Sequence, residues 1–182
     1  MIARLYFIVG KARSGKDTLT EIIKEYYEKQ GKSVVQITYS KYIKDYVKVI
    51  TAWDGSDETK PRELLQTLGT DIIRGKVDQN YFVNRICDDI KVYSHFFDVV
   101  VVSDARLVDE IEVPRKTFDK INVVKIHRPN FENELTDKQR KHITETGLDN
   151  FTDFDYIIEN SGSVDELKVK VTEVLEEVER GY

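Results

Sequence analysis

LYFIVGKARSGKDT, residues 5–18, is the stretch that decides the fold of this chain. Its first five residues are all apolar, which is typical of a strand buried on both faces of a sheet. Gly10 then opens a loop that closes at Gly15 and Lys16, which gives the spacing G-x-x-x-x-G-K. Glycines allow the tight turn in which several backbone N–H groups face one anion, and the lysine adds a positive charge. The pattern therefore predicts a phosphate-binding loop.

A helix follows this loop, as the motif requires. Apolar residues recur at helical spacing from Leu19 to Tyr27, and Gly31 provides a stop. The order of strand, loop and helix favours phosphate binding over a plain glycine turn beside a lysine. Phosphate contacts are assigned to Gly10, Lys11, Ala12, Arg13, Ser14, Gly15, Lys16, Asp17 and Thr18, although the side chains of Lys11 and Arg13 can equally point to solvent.

One position departs from the usual motif. The residue after the lysine is normally Ser or Thr, whose hydroxyl binds Mg²⁺, whereas this chain has Asp17. A carboxylate can hold Mg²⁺ directly or through water, so Asp17 is a candidate metal ligand.

The composition limits the class of protein. The chain has 182 residues, 34% of them charged, and a net charge of −5, which fits one soluble domain over residues 1–182. An acidic chain gives no support to nucleic-acid binding, and no apolar stretch is long enough to cross a membrane. The N-terminal apolar run continues into the loop and lacks the features of a signal peptide. Because Cys87 is the only cysteine, we expect a reducing compartment and a cytoplasmic protein.

Short apolar segments alternate with helical ones along the rest of the chain. Strands are predicted at residues 33–38, 98–103, 121–126 and 155–159, in addition to the strand at residues 5–9. Helices are predicted at residues 61–74, 79–93, 107–118 and 136–142 and after Ser163, with a break or kink at Pro114. This alternation predicts an α/β fold of three layers, in which helices cover both faces of a five-stranded parallel sheet.

Ligands of such folds bind beyond the carboxyl ends of the strands. Lys16, Ser40, Asp104, Arg106 and the loop at Asn160 follow predicted strands, so we expect them around one crevice. Asp104 is suited to hold a magnesium-bound water, and the planar fork of Arg106 is suited to grip a phosphate. The alternative is that the two side chains form a surface pair that caps the next helix.

Two further segments are candidates for substrate contacts. Residues 39–95 lie where an acceptor-binding segment would be inserted, and within them Arg62, Gln66 and Arg74 are the candidate ligands. Residues 128–153 form a polar interval that includes Arg140. An arginine on a closing lid would stabilise charge on a transferring phosphoryl group and exclude water. A solvated charged surface is an equally weighted interpretation of this interval.

Several stretches resemble one group of kinases. GKARSGKDT (residues 10–18) is similar to the loop of deoxynucleoside monophosphate kinases and of phosphomevalonate kinases, which share the aspartate after the lysine. VVVVSDARLVDEIE (99–112) is similar to their S-D-x-R segment, and GLDNFTDFDYIIENSGSVDEL (147–167) is similar to the C-terminal segment of phosphomevalonate kinase. Residues 142–149 also match an E-T-x-L-D pattern of the deoxynucleotide kinases. RELLQTLGTDIIRGKVDQNYF (62–82) resembles the deoxynucleotide kinases more closely.

The resemblance implies a P-loop NTPase fold of the adenylate-kinase-like kind and a kinase that uses ATP and Mg²⁺. It implies that Lys16 and the loop hold the donor phosphates, that Arg106 contacts the acceptor phosphate and that Arg140 belongs to a lid. The loop from Asn160 to Ser163, which includes Gly162, would border the donor base. Asp17 and Asp104 are the candidate metal ligands.

The acceptor stays open at this point. A small phosphorylated acceptor is expected, and a nucleoside or deoxynucleoside monophosphate is preferred. Phosphomevalonate is the alternative acceptor. A nucleotide-binding sensor without efficient transfer is the alternative from another class, and Asp17 is its main support. The sequence does not determine the oligomeric state.

Overall fold

The described part of the chain, residues 2–129, 136 and 140–181 of a computed structural model, forms one parallel sheet of five strands in the order β2-β3-β1-β4-β5. The strands are β1 (Arg4–Val9), β2 (Val34–Ile37), β3 (Val99–Ala105), β4 (Asn122–His127) and β5 (Tyr156–Glu159). All neighbouring strands pair in parallel. The predicted five-stranded parallel sheet is therefore confirmed, with strand ends that differ by one or two residues.

Helices connect the strands. They are α1 (Lys16–Glu28), α2 (Ser40–Thr51), α3 (Arg62–Gln66), α4 (Tyr81–Tyr93), α5 (Asp109–Thr117), α6 (Ile143–Thr146) and α7 (Val164–Arg180). A π-helical segment, Thr67–Val77, continues α3.

Two hydrophobic cores lie on opposite faces of the sheet. Because successive side chains of a strand point to opposite faces, Leu5 and Phe7 of β1 belong to one core, whereas Tyr6 and Ile8 belong to the other. The first core is closed by residues of α2, α4 and α5 and of the π-helical segment. The second core is closed by α1 and α7. This division confirms the predicted layers of helices on both faces.

The segment predicted as one helix at residues 61–74 has a different geometry. It begins as α3 and then continues with wider π-type turns to Val77, where the N–H of Asp78 donates to the carbonyl of Ile73 at 2.9 Å. The prediction of an ordinary helix that ends at Arg74 was wrong in both respects. Apolar spacing over a few turns does not distinguish helices of 3.6 residues per turn from wider ones.

Pro114 does not end the helix that contains it, although a break or a kink was expected at this position. Helix α5 runs from Asp109 to Thr117 through this proline. A proline lacks the N–H that would bond the carbonyl four residues earlier, which here belongs to Glu110. The hydroxyl of the buried Tyr39 donates to that carbonyl at 2.8 Å instead. A side chain from the turn after β2 thus replaces the missing helical bond.

Residues 137–139 of the helix predicted at residues 136–142 lie outside the described residues. Within the part of the chain that is described, the N–H of Arg140 donates to the carbonyl of Thr136 at 2.9 Å, and α6 follows at Ile143. Among all the residues that the structure describes, no helix is long and apolar enough to span a membrane.

Candidate active site

The loop between β1 and α1 is held in shape by two glycines. Gly15 has a φ of +105°, and a Cβ built on it would lie 2.5 Å from the Nδ2 atom of Asn160. A Cβ on Gly10 would lie 2.6 Å from the carbonyl oxygen of Ile126. Any side chain at either position would displace neighbouring groups, because such distances are far below van der Waals contact. The two glycines of the motif are therefore required by the packing around the loop as well as by its turn.

Lys16 lies at the start of α1 and folds back over the loop. Its Nζ atom donates hydrogen bonds to the carbonyls of Gly10 at 2.9 Å and of Lys11 at 2.8 Å. Burial, together with the nearby positive charge of Arg106, lowers the pKa of Lys16 to about 8. An incoming anion would favour the charged form of this ammonium group.

The turn after β5 supports the loop from the opposite side. The Nδ2 atom of Asn160 donates to the carbonyl of Ser14 at 3.0 Å, and the backbone N–H of Asn160 donates to the carbonyl of His127 at 2.8 Å. Asn160 therefore contacts the loop. Gly162 lies farther along this turn and packs against Glu166 at the start of α7.

The end of β3 carries the predicted Asp104 and Arg106. The carboxylate of Asp104 accepts the backbone N–H groups of Tyr39 at 2.7 Å and of Ser40 at 3.0 Å. Asp104 thus joins β3 to the start of α2, which is where the structure places Ser40. The fork of Arg106 pairs with the carboxylate of Glu145 and donates to the carbonyl of Thr144 at 3.3 Å. Asp104 and Arg106 therefore bind different partners and do not form the surface pair considered as the alternative.

Glu145 was not assigned a role from the sequence. Its Oε1 atom pairs with Arg106, and its Oε2 atom accepts the N–H of Ala12 in the phosphate loop at 3.3 Å. Only 9% of its side chain is exposed. The available signal was the E-T-x-L-D match at residues 142–149, which includes Glu145 but does not indicate what this residue contacts.

Glu110 is a second acidic residue without a sequence-based assignment. Its buried carboxylate accepts the backbone N–H groups of Arg106 at 2.7 Å and of Leu107 at 3.1 Å, and it pairs with the fork of Arg74. Burial raises the pKa of Glu110 to about 7, although the charge of Arg74 opposes this shift. Glu110 fixes the turn that carries Arg106, and it holds Arg74 in a structural ion pair.

A cavity of about 580 Å³ opens beside the loop. Its walls come from the loop, from the end of β3, from residues 125–128 at the end of β4 and from residues 144–149. Among the predicted site residues it is lined by Gly10, Lys11, Ala12, Ser14 and Arg106. The cavity lies at the carboxyl ends of the strands, which is the expected position for a ligand in a parallel sheet.

Several predicted residues lie away from this cavity. Arg62 is exposed on α3 and Gln66 is half-buried at its end, while Arg140 is exposed near α6. Their roles in acceptor binding and in a lid remain predictions. Arg13 is exposed on the loop, with a φ of 60°. Thr18 lies in the first turn of α1 and is half-buried.

The two predicted metal ligands fit a Mg²⁺ ion that is bound mainly through phosphates and water. Asp17 is an exposed carboxylate in the first turn of α1, and both Asp17 and Asp104 act electrostatically on Lys16. Among the residues that the structure describes, no three His, Cys, Asp or Glu side chains form a metal-binding group. One or two carboxylates beside phosphate groups are the usual protein contribution to a magnesium site, and the assignment of Asp17 and Asp104 to that part stays a prediction.

Comparison with protein families identifies a family to which this chain is similar. The family described as deoxynucleotide monophosphate kinase matches residues 24–171. The matched region begins after the loop of residues 10–17, so the phosphate-loop motif is evidence independent of this family match. The chain is also 31% identical over 166 residues to the deoxynucleotide monophosphate kinase of Escherichia phage RB69, with 88% of this chain and 65% of the phage protein covered. For the enzyme of the same name from Enterobacteria phage T4 the identity is 30%, with 82% and 57% covered. The chain thus spans less than two thirds of either relative.

Solved structures share the fold at low sequence identity. The Mycobacterium tuberculosis APS kinase in complex with AMPPNP and APS has a TM-score of 0.53 at 15% identity, with 96% of this chain and 98% of that chain covered. Dephospho-CoA kinase from Campylobacter jejuni has a TM-score of 0.54 at 14% identity, with 98% of each chain covered. These similarities confirm the predicted P-loop kinase fold.

Proposed function

The chain belongs to the deoxynucleotide monophosphate kinase family, and from this premise we propose that it transfers the γ-phosphoryl group of ATP to a deoxynucleoside monophosphate. The observation that carries the proposal is the loop of residues 10–17, where Lys16 folds back over the loop at the start of α1 and the N–H of Ala12 shares the carboxylate of Glu145 with Arg106. Phosphoryl transfer depends on alignment and charge neutralisation more than on covalent catalysis, and these groups supply both.

Each group has a distinct part in this proposal. The loop and Lys16 bind the β- and γ-phosphates of ATP, while Arg106 binds the phosphate of the acceptor and brings it in line with the γ-phosphoryl group. Asp17 and Asp104 would hold Mg²⁺, which would neutralise part of the phosphate charge. Ser40 lies beside Asp104 at the start of α2 and would face the acceptor. Asn160 supports the loop from the side where we place the donor base.

The proposed substrates are small phosphate-bearing nucleotides, and the proposed location is the cytoplasm, where these nucleotides are available. Arg62 and Gln66 are the acceptor contacts proposed on α3, and Arg140 is the proposed lid arginine. Arg74 is not proposed as a phosphate ligand, because its fork pairs with the buried Glu110.

An acceptor panel tests the proposal. ADP release is measured with ATP, Mg²⁺ and each of the four common deoxynucleoside monophosphates, their ribonucleotide counterparts, or phosphomevalonate. We expect ADP release with at least one deoxynucleoside monophosphate. Release with phosphomevalonate alone would contradict the proposed acceptor, and ATP binding without ADP release for any acceptor would favour a sensor.

Two lysine variants of the same helix provide the control. Lys16→Ala removes the ammonium group from the loop, whereas Lys29→Ala removes an exposed one at the other end of α1. We expect Lys16→Ala to lower kcat/KM by about 10²–10³-fold, as for other positioned donors to transition-state charge. Lys29→Ala should leave kcat/KM within about twofold, because a surface substitution of this kind has little effect. Equal activities of the two variants would contradict a role of Lys16 in transfer.

A further inference from the structure

Glu145 binds two groups to which the proposed function assigns phosphate. One carboxylate oxygen accepts the N–H of Ala12 in the loop, and the other pairs with the fork of Arg106. Backbone N–H groups of such loops and arginine forks are typical ligands of phosphate oxygens. A carboxylate is also an anion with two acceptor oxygens. The chain therefore supplies its own anion to groups that recognise anions.

The segment that carries Glu145 is packed against the same two parts of the site. Asp149 pairs with Lys11 of the loop at 2.9 Å, and the carbonyl of Thr144 accepts from Arg106 at 3.3 Å. A Cβ built on Gly147 would lie 2.9 Å from the carbonyl oxygen of Arg106. Residues 144–149 thus lie against both the loop and the turn after β3. The packing of this backbone therefore brings the carboxylate of Glu145 close to both Ala12 and Arg106.

We propose that Glu145 is an internal competitor of phosphate: its carboxylate holds Ala12 and Arg106 and releases both when the nucleotide phosphates bind. A phosphoryl oxygen that took over either hydrogen bond would lie close to the carboxylate, and two like charges at such a distance in a largely buried place repel each other strongly. Release frees the fork of Arg106 for the acceptor phosphate. Glu145 therefore lowers the affinity for phosphates and keeps Arg106 oriented. This inference rests on the proposed function.

A simple structural ion pair would have the opposite effect on binding. If Glu145 only oriented Arg106 and remained in place, its removal would loosen the arginine and weaken the binding of anions. If Glu145 competes with phosphate, its removal strengthens binding. The sign of the change in affinity therefore distinguishes the two roles.

The test is the calorimetric titration of inorganic tripolyphosphate and of ATP with Mg²⁺ into the wild-type chain, Glu145→Gln and Glu25→Gln. Glu25→Gln makes the same substitution at an exposed residue of α1 that pairs with Lys168, outside the segments predicted to contact substrates. We expect Glu145→Gln to lower the Kd of both probes by roughly 5–150-fold, the usual range for coupling between two binding events. Glu25→Gln should change the Kd less than twofold. A Glu145→Gln Kd equal to that of Glu25→Gln, or higher than that of the wild type, overturns the inference.

Glu145→Asp provides a second variant should the glutamine variant fold poorly. It keeps the charge but shortens the side chain by one carbon, which draws the carboxylate away from Ala12 and Arg106. We expect an intermediate lowering of the Kd, and an unchanged or higher Kd overturns the inference. Failure of the wild-type chain to bind either probe would instead overturn the proposed function. The two failures are therefore distinguishable.

Discussion

Replacement of Arg74 by alanine separates a structural role of this residue from a role in acceptor binding. The side chain of Arg74 is 13% exposed and that of its partner Glu110 is 5% exposed. The guanidinium group also lies 5.3 Å from the centre of the Phe82 ring. The Arg74→Ala variant would keep the carboxyl group of Glu110 in its buried position and take away the cation that faces it. An unpaired buried charge is one of the few changes that cost several kcal/mol.

The magnitude follows from these contacts. Removal of one partner from a buried ion pair costs about 3–5 kcal/mol. Loss of the arginine–phenylalanine contact adds about 0.5–1 kcal/mol. The hydrogen bonds from the backbone N–H groups of Arg106 and Leu107 to Glu110 stay in place, so the turn after β3 is weakened but not removed. We expect the free energy of unfolding of Arg74→Ala to fall by about 3.5–6 kcal/mol at pH 8.

The loss should depend on pH in a defined direction. Burial raises the pKa of Glu110 from 4.5 to about 7, and the charge of Arg74 limits this rise. Without Arg74 the pKa rises further. A carboxyl group whose pKa is higher in the folded state stabilises that state at low pH, and this contribution is lost as the pH rises through the folded pKa. The variant should therefore be least stable, relative to the wild type, at pH 8 and should recover part of the loss at pH 5.5.

Urea denaturation of the wild type, Arg74→Ala and Arg62→Ala at pH 8 and pH 5.5 measures this effect. Arg62 is an exposed arginine of α3 from the same predicted acceptor segment, so Arg62→Ala should lose less than about 0.5 kcal/mol. The double variant Arg74→Ala, Glu110→Gln should regain part of the loss, because no buried charge is left unpaired. Equal stability of the two single arginine variants, together with a raised KM for the acceptor in Arg74→Ala, would refute the reasoning.

Three further substitutions test the packing of the site. Gly15→Ala places a Cβ on a residue with a φ of +105° and within 2.5 Å of the Nδ2 atom of Asn160. We therefore expect the free energy of unfolding in urea to fall by more than about 1 kcal/mol and ATP to bind more weakly, and a wild-type Kd for ATP would contradict this. Asn160→Ala removes the 3.0 Å hydrogen bond to the carbonyl of Ser14, and it should raise the Kd for ATP in calorimetry by about fivefold, or roughly 1 kcal/mol. An unchanged Kd would show that this hydrogen bond does not support the loop. Tyr39→Phe removes the hydroxyl that donates a hydrogen bond to the carbonyl of Glu110, and it should lower the free energy of unfolding by about 1–3 kcal/mol. A variant as stable as the wild type would mean that water replaces the hydroxyl.

The loop and the sheet were predictable because their signals are local. An apolar run followed by Gly10, Gly15 and Lys16 contains the strand, the turn and the charge within a few residues, and backbone sterics translate that order directly into structure. Asn160 and Arg106 were predictable at the level of position, because the carboxyl ends of parallel strands meet at one edge of the sheet.

The acidic partners in the site were not predictable in the same way. Glu145 meets Ala12 across 133 positions of the chain, and Glu110 meets Arg74 across 36. Charge and spacing along the sequence do not specify such pairs, since any of several carboxylates could have occupied those places. The same limit applies to Arg74, because its buried partner Glu110 could not be identified from the sequence.

Product analysis with ATP labelled at the γ-phosphate tests the central claim most directly. The chain is incubated with labelled ATP, Mg²⁺ and the deoxynucleoside monophosphate that gives the fastest ADP release, and the products are separated. We predict that the label appears in the deoxynucleoside diphosphate in an amount equal to the ADP formed, and that Lys16→Ala reduces it by about 10²–10³-fold. Label released only as inorganic phosphate, or transfer that is unaffected by Lys16→Ala, would contradict phosphoryl transfer at this loop.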